Sequence, residues 1–332
     1  MGTEKVRVGI VAGGLSSEHE ISCISAGGVM KAIDRTRFEP VLIGITKDGR
    51  WVSPKVDQVL SIEGGELPEI TSGVENSAEE LFKGLDVIFP ILHGPYGEDG
   101  TFQGLCEMLG KKYVGSGVLA SAVAMDKSFA KPIFAAQGLA VADGIVVTSE
   151  KDIDATSLTY PVFVKPARGG SSRGTTKVKE SGALIAAVHE ALKFDSKVMI
   201  ESAVIGREIE CAVLEIEGKA TASPLTEVRI LGDHEFYDFE AKYLDGSTEF
   251  VDPRDLPSDV YSAIQESAVS AFEALDCRGL ARVDFFYTGK EIVINELNTM
   301  PGFTSTSVFP KLWKQAGVSY TELITRLIDA AL

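Results

Sequence analysis

Between Leu280 and Pro310 the chain reads LARVDFFYTGKEIVINELNTMPGFTSTSVFP. Val283, Phe285 and Tyr287 alternate with residues of the opposite face, Thr288-Gly289 supplies a tight turn, and Ile292, Val293 and Ile294 open a second strand. An apolar hairpin is the only simple solution for such a stretch. Its polar residues are misplaced for one. Asp284 lies inside the first strand, and Glu296 and Asn298 end the second, two apart and therefore on one face. Three oxygen-bearing side chains on the core side need a partner, because a buried unpaired carboxylate is costly. One candidate is a hard cation such as Mg²⁺, which takes carboxylate and carbonyl oxygens beside substrate phosphates. The other is solvent over an edge hairpin. This stretch alone leaves both open.

The chain has 332 residues, room for two or three domains with cores of their own. Its formal net charge of −16 argues against nucleic acid or an anionic membrane as partner. A phosphate ligand would then need basic residues set locally against the overall field. Cys23, Cys106, Cys211 and Cys277 are scattered, without a CxxC pair or an adjacent histidine. They read as core thiols in a reducing compartment. The N-terminus runs directly into a strand and lacks the apolar core of a signal peptide, and no stretch reaches membrane-spanning length. The expected location is the cytoplasm.

VRVGIV (Val6–Val11) is a buried parallel-type strand entering the Gly13-Gly14 turn, with Ser16-Ser17 placed to cap the next helix. Phe38–Thr46 is a second strand and Leu85–Leu92 a third, which ends in His93-Gly94-Pro95-Tyr96-Gly97-Glu98-Asp99-Gly100. Strand, glycine turn, helix and strand form a doubly wound α/β unit, whose ligands collect at the carboxyl ends of the strands. Glu18 there reads as a helix-capping charge or as the anchor of a substrate ammonium. His93 reads as a loop-bonded histidine or a functional one. The Gly13-Gly14 turn lacks the full GxGxxG spacing, which leaves a dinucleotide fold poorly supported, and GxxxxGK[ST] is absent, which removes the P-loop reading. Helices are expected over Val118–Ala124 and Lys127–Gln137, with Lys127 at the wrong end of the dipole for a cation. The strand Tyr160–Lys165 ends in a lysine and enters Arg168-Gly169-Gly170-Ser171-Ser172-Arg173-Gly174, a loop whose N–H groups can wrap phosphate oxygens. Strands at Lys197–Glu201 and Ile209–Leu214 flank Gly206-Arg207-Glu208, which reads as a free backbone suited to an adenine edge, with Glu208 for ribose hydroxyls, or as a plain β-turn with surface charges. His234–Asp252 is a long aromatic and charged loop of the kind that is usually functional; Lys242-Tyr243 at its centre reads as a lid pair, or the aromatics merely pin the loop to the surface. Pro257–Leu275 and Tyr320–Ala330 are amphipathic helices.

Taken together and in order, SSEHEIS (16–22), LHGPYGEDG (92–100), MDK (125–127), VKPARGGSSRG (164–174), EAKY (240–243), RVD (282–284) and NELNTMPGFTSTS (295–307) resemble the ATP-grasp ligases, and within them the D-alanine–D-alanine ligase family. The resemblance covers nearly the whole chain. It implies an N-terminal α/β substrate-binding domain (1–120), a central ATP-grasp domain (121–206) and a C-terminal ATP-grasp domain with lid and metal site (207–332). It also implies a reaction: the carboxylate of one D-alanine takes the γ-phosphoryl group of ATP, and the amine of a second attacks the acyl phosphate. The dipeptide product would serve peptidoglycan synthesis.

Residue roles follow from the same resemblance. Asp284, Glu296 and Asn298 match ligands of two Mg²⁺ ions, with Mn²⁺ as a substitute. Lys127 and Lys165 match lysines on the ATP phosphates, with Ser171, Ser172 and Lys242 in the same ATP-binding set. Glu201 and the backbone of Ala203 and Val204 match adenine contacts, and Glu208 a ribose contact. Arg282 and the N–H of Gly302 match an oxyanion hole. Glu18 would hold the first substrate's ammonium, relayed by Ser171 and Tyr243, with His93 nearby, and Ser307 and Val308 would meet the second substrate's carboxylate. The family implies a homodimer. Arg173 stands where the family has a small apolar residue, and Ser202-Ala203 replaces a bulkier pair. Rivals are a D-alanyl-D-lactate ligase, which Lys242-Tyr243 disfavours, another ATP-grasp carboxylate–amine ligase, and a non-catalytic small-molecule binder.

Overall fold

The computed structural model describes residues 4–54, 60, 66–155, 157–231 and 248–332. Among these, three sheets carry the fold. The first contains β1 (Val6–Gly13), β2 (Phe38–Ile45), β3 (Trp51–Ser53), β4 (Val74–Glu75), β5 (Val87–Pro90) and β6 (Lys112–Tyr113), in the order β4-β3-β2-β1-β5-β6. The β2, β1, β5 and β6 strands run parallel. β5 is buried throughout and β1 from Val8 onward, as strands covered on both faces must be. β3 and β4 extend the edge in antiparallel fashion. The chain leaves β1 toward β2 and returns on its other side at β5, so the ends of β1 and β5 flank a topological switch point.

Ser16 and Ser17 do not cap the helix His19–Ala32. Glu18 takes the cap position and makes no side-chain cap bond. The Ser16 hydroxyl is used elsewhere: it donates to the His93 carbonyl at 2.6 Å and accepts the Glu18 N–H at 3.2 Å. It thereby ties the two strand ends together across the switch point.

After β7 (Ala140–Val141) comes the second sheet, with β8 (Gly144–Val147), β9 (Val162–Pro166), β10 (Thr176–Val178) and β11 (Val198–Ser202) antiparallel in the order β10-β9-β11-β8. The helix Leu184–Ala191 covers it and completes a separate core with Val162, Val164 and Ile200. This unit is entered and left side by side: Gly144 pairs with Glu201, and the Ser202 N–H donates to the Asp143 carbonyl at 2.8 Å.

The third sheet holds β12 (Arg207–Ile216), β13 (Lys219–Ile230), β14 (Thr248–Val251), β15 (Leu280–Tyr287) and β16 (Ile292–Asn298), ordered β14-β13-β12-β15-β16-β7. All its pairs are antiparallel except β16 with β7. The expected hairpin is β15–β16. The helix Ser258–Ala274 buries Ile264, Ala268 and Phe272 against this sheet, and the helices Val118–Met125 and Lys127–Ala136 add Ala124, Ala130 and Phe134 to the same core. Another core joins the first sheet to the C-terminal helices Val308–Gln315 and Tyr320–Ala331 through Phe89, Phe303, Phe309, Trp313 and Leu327. Phe303 sits edge-on to Phe89 at 5.7 Å between centroids. Close packing of this kind transmits position, so the loops after β5 and after β16 are held in fixed relation.

Candidate active site

A cavity of about 480 Å³ opens between the second and third sheets. Lys127, Lys165, Ser171, Ser172, Glu201, Ala203, Val204 and Glu208 all line it, together with Glu296. Chain positions from 127 to 296 thus converge on one space of nucleotide size.

Its inner wall is a charge triad. Lys165, near the end of β9, places Nζ 2.7 Å from Glu201 on β11, and Lys131 closes on the other Glu201 oxygen. Burial raises the Glu201 carboxyl, but the two lysines more than offset it and bring its pKa down to about 2. Burial pushes Lys131 down to about 8, with the charge of Lys165 adding to the effect and Glu201 opposing it. Burial also disfavours the Lys165 charge, yet Glu201, by charge and hydrogen bond, and Glu296 carry it above the usual lysine value. Two lysines on one carboxylate leave a net positive wall, which suits a nucleotide phosphate in a strongly anionic protein. Sequence reasoning misses Lys131. The available signal is its spacing, four residues after Lys127 and so on the same helical face.

The outer wall is the loop after β9. Ser171 and Ser172 take left-handed φ values of 52° and 56°, sparsely populated for residues other than glycine. The Lys127 ammonium, at the start of its helix, donates to the Gly169 carbonyl at 2.7 Å and meets Glu296 at 3.1 Å. The two loop arginines divide their work. Arg168 turns away, its Nε and Nη2 on Asp195 at 3.2 and 2.5 Å, whereas Arg173 lines the cavity.

On the hairpin, register sets the polar face: Arg282 lies opposite Asn298, and Asp284 opposite Glu296. The register shifts just after Asp284, a bulge of the kind that re-aims side chains beside active sites. The Arg282 Nε and Nη2 each donate to Asp284 at 2.7 Å, and the Asn298 amide donates to Asp284 at 3.1 Å. Among the described residues no group of three or more His, Cys, Asp or Glu gathers around one point. Two carboxylates and one amide oxygen are nonetheless the donor set that Mg²⁺ uses when phosphates and water complete its shell. The residues fit that ion. Each carboxylate also has a cation in hand, Lys127 on Glu296 and Arg282 on Asp284.

The third component lies at the switch point of the first sheet. Glu18 accepts a short hydrogen bond from the Ser171 hydroxyl, joining the N-terminal domain to the phosphate loop. Gly94, at a φ of 74°, and Gly170 leave room for this carboxylate: a Cβ on either would lie 2.7 or 3.0 Å from the Glu18 Oε2 and would press on it. His93 is buried, with Nδ1 3.1 Å from the Met300 carbonyl and Nε2 3.2 Å from the Ser25 hydroxyl. Burial lowers its pKa against the pull of Glu18, and both ring nitrogens are engaged by the protein. Gly302 follows β16 in the same region. Its neighbour Ser307 accepts the Thr304 N–H at 3.1 Å and stands at the N-terminus of the helix Val308–Gln315. Lys242 and Tyr243 lie outside the described residues.

Two largely antiparallel sheets closing on a nucleotide-sized cavity, with paired lysines on one wall and Glu296 of the hairpin on the other, define the ATP-grasp class of ligases. The family model "D-ala D-ala ligase N-terminus" matches residues 7–116, and "D-ala D-ala ligase C-terminus" matches 133–329. The D-alanine–D-alanine ligase of Mycobacterium avium is 46% identical over 99% of this chain and 97% of its own. Among solved structures, the VanG D-Ala:D-Ser ligase of Enterococcus faecalis superposes with a TM-score of 0.84 at 34% identity, covering 99% of this chain and all of that one. The D-alanine–D-alanine ligase of Bacillus anthracis, complexed with ATP, gives 0.78 at 28% identity over 98% and 97% of the two chains. The chain belongs to the D-alanine–D-alanine ligase family. It is an ATP-dependent ligase that joins D-alanine to D-alanine. Among the described residues no helix is long and apolar enough to cross a membrane.

The charge triad yields one expected result. Lys131→Met should raise the KM for ATP about 10-fold, the loss of one charged hydrogen bond's worth of binding, with kcat at saturating ATP nearly unchanged. Lys165 still partners Glu201, so the stability loss should fall short of the ~3–5 kcal/mol that follows when a buried charge loses its only partner. Steady-state kinetics across ATP concentrations checks this, and an unchanged KM removes Lys131 from the nucleotide site.

Proposed function

We propose that the reaction runs across the three walls just described. The observation that carries this reading is the Ser171–Glu18 hydrogen bond, which puts the phosphate loop and the N-terminal pocket within one substrate's length of each other. The first D-alanine places its ammonium on Glu18 and its carboxylate toward the γ-phosphate. That carboxylate attacks phosphorus, the bond to ADP breaks, and an acyl phosphate forms. Lys127 and Lys165 offset the charge on the phosphate oxygens, as phosphoryl transfer requires little beyond positioning and neutralisation. Asp284, Glu296 and Asn298 would hold magnesium, whose charge would further neutralise the phosphates. Glu201, the backbone of Ala203 and Val204, and Glu208 bind adenine and ribose.

The amine of a second D-alanine then attacks the acyl carbon. Arg282 and the N–H of Gly302 receive the negative charge on the tetrahedral oxygen, the C–O bond to phosphate breaks, and the surplus proton on the amine leaves with the departing phosphate. The N-terminus of the helix at Ser307 and Val308 offers N–H groups and a positive dipole end to the second substrate's carboxylate. A reducing, cytoplasmic setting suits the four cysteines, which are all buried and unpaired.

A phosphate-release assay with ATP and single or paired substrates tests the second-site assignment. D-Alanine alone should support turnover at neutral pH faster than D-alanine offered with D-lactate or with D-serine, the latter being the second substrate named for VanG. Faster release with D-lactate or D-serine would overturn it.

A further inference from the structure

The loop LHGPYGEDG contributes His93 and Gly94 to the site, but its Glu98 has no part in the steps above. Glu98 is half-buried, and both its oxygens are spoken for. Oε2 accepts the Gly94 N–H at 2.6 Å, and Oε1 accepts the Met300 N–H at 3.1 Å. The first bond closes its own loop. The second reaches the turn after β16, more than two hundred positions along the chain. The same residue is gripped a second time, since His93 Nδ1 lies 3.1 Å from the Met300 carbonyl. Residues 93 and 98 of one loop therefore hold both the N–H and the C=O of Met300. Pro301 follows, its φ fixed by the ring, and then Gly302. The clamp is thus one stiff residue away from the proposed oxyanion donor.

The choice of a carboxylate here is expensive. Loss of water pushes Glu98 up to about 8, and the nearby charge of Glu18 adds to the rise. A glutamine would avoid both costs, but its amide has only one acceptor oxygen and would turn an NH₂ group against the second N–H. Only the ionised carboxylate, which the Gly94 and Met300 N–H groups and the charge of Arg282 favour against burial, accepts from two backbone donors at once in this geometry. The cost is consistent with a demand for both bonds.

We propose that Glu98 is a positioning residue for acyl transfer: by bridging the Gly94 and Met300 N–H groups it sets the Gly302 N–H at a fixed place relative to Glu18. One rigid frame then holds the substrate's ammonium at one end and its carbonyl oxygen at the other. The inference rests on the proposed roles of Glu18 and Gly302. Displacing an oxyanion donor by about 1 Å typically costs about 10²-fold in rate.

The test uses the full chain with wild type, Glu98→Gln, Glu98→Ala and Arg282→Lys. Three quantities are read: kcat, the KM for ATP, and inhibition by a dipeptide phosphinate, whose tetrahedral phosphorus stands for the attacked carbon. Glu98→Gln should lower kcat about 10²-fold and weaken the phosphinate by a similar factor, with the KM for ATP and the melting temperature close to wild type. Glu98→Ala, which leaves both N–H groups to water, should give the same pattern. The proposal is overturned if both Glu98 variants keep kcat within about threefold of wild type, or if kcat, ATP binding and melting temperature fall together. Phosphinate inhibition weakened by Arg282→Lys but not by the Glu98 variants overturns this inference alone. If Arg282→Lys leaves it unchanged, the oxyanion reading itself fails.

Discussion

Glu296→Gln is expected to lower turnover on the order of 10³-fold, about 4 kcal/mol of transition-state stabilisation. The substitution keeps the shape of a side chain that lines the cavity opposite Asp284 in the β15–β16 register. It removes one of the two carboxylates that can meet a hard cation beside the phosphates. It also removes the Glu296 ion pair of Lys127, which among the described residues still donates to the Gly169 carbonyl at 2.7 Å. Two separate contributions to phosphate neutralisation are thus disturbed together, and their effects need not add. Magnesium titrations of phosphate release, with Mn²⁺ binding followed by electron paramagnetic resonance, provide the measurement. Turnover within tenfold of wild type, at an unchanged metal requirement, would return the hairpin's polar face to the status of a solvated edge.

Arg282→Lys is the second large effect, about 10²–10³-fold in kcat, the usual cost of losing one oxyanion donor. Charge is conserved, but the planar fork is not. Arg282 uses that fork on Asp284, with two bonds of 2.7 Å, while its Nε lies 3.4 Å from Glu210. A lysine ammonium cannot hold Asp284 in two places and also face an acyl oxygen. The KM for ATP should stay near wild type, because Arg282 is not among the residues lining the nucleotide cavity. A kcat within fivefold of wild type would rule out the oxyanion role. A raised magnesium requirement at normal kcat would instead make Arg282 a support of Asp284.

These residues differ in how plainly the sequence shows them. The hairpin, the parallel strands and the glycine-serine loop are visible because their periodicity or composition is local. Asp284, Glu296 and Asn298 announce themselves as polar interruptions on one face of an apolar hairpin. Glu18 does not. Its partner Ser171 lies 153 positions away, so residue-by-residue reading favours a helix cap, and only the combined motifs point to a substrate anchor. The same blindness misassigns Ser16, whose hydroxyl goes to a strand end 77 positions distant. Lys131 escapes notice because a lysine within a helix usually faces water, and here Glu201 from another sheet makes its burial tolerable. The β3–β4 edge comes from a stretch with no period at all, where tertiary pairing, not local preference, decides the strand.

The backbone around the second sheet also bears on how such an enzyme admits and releases its nucleotide. The sheet β8–β11 has its own core, and its two connections to the remainder meet at the Asp143–Ser202 hydrogen bond of 2.8 Å. A flap whose two stems share one seam can swing as a solid piece, with torsion confined to a few bonds and the strands of both neighbouring sheets left intact. The nucleotide would then be exchanged by a jaw opening on a single pivot. The free energy of opening would be that of parting the two faces across the gap, with no unfolding of the jaw itself.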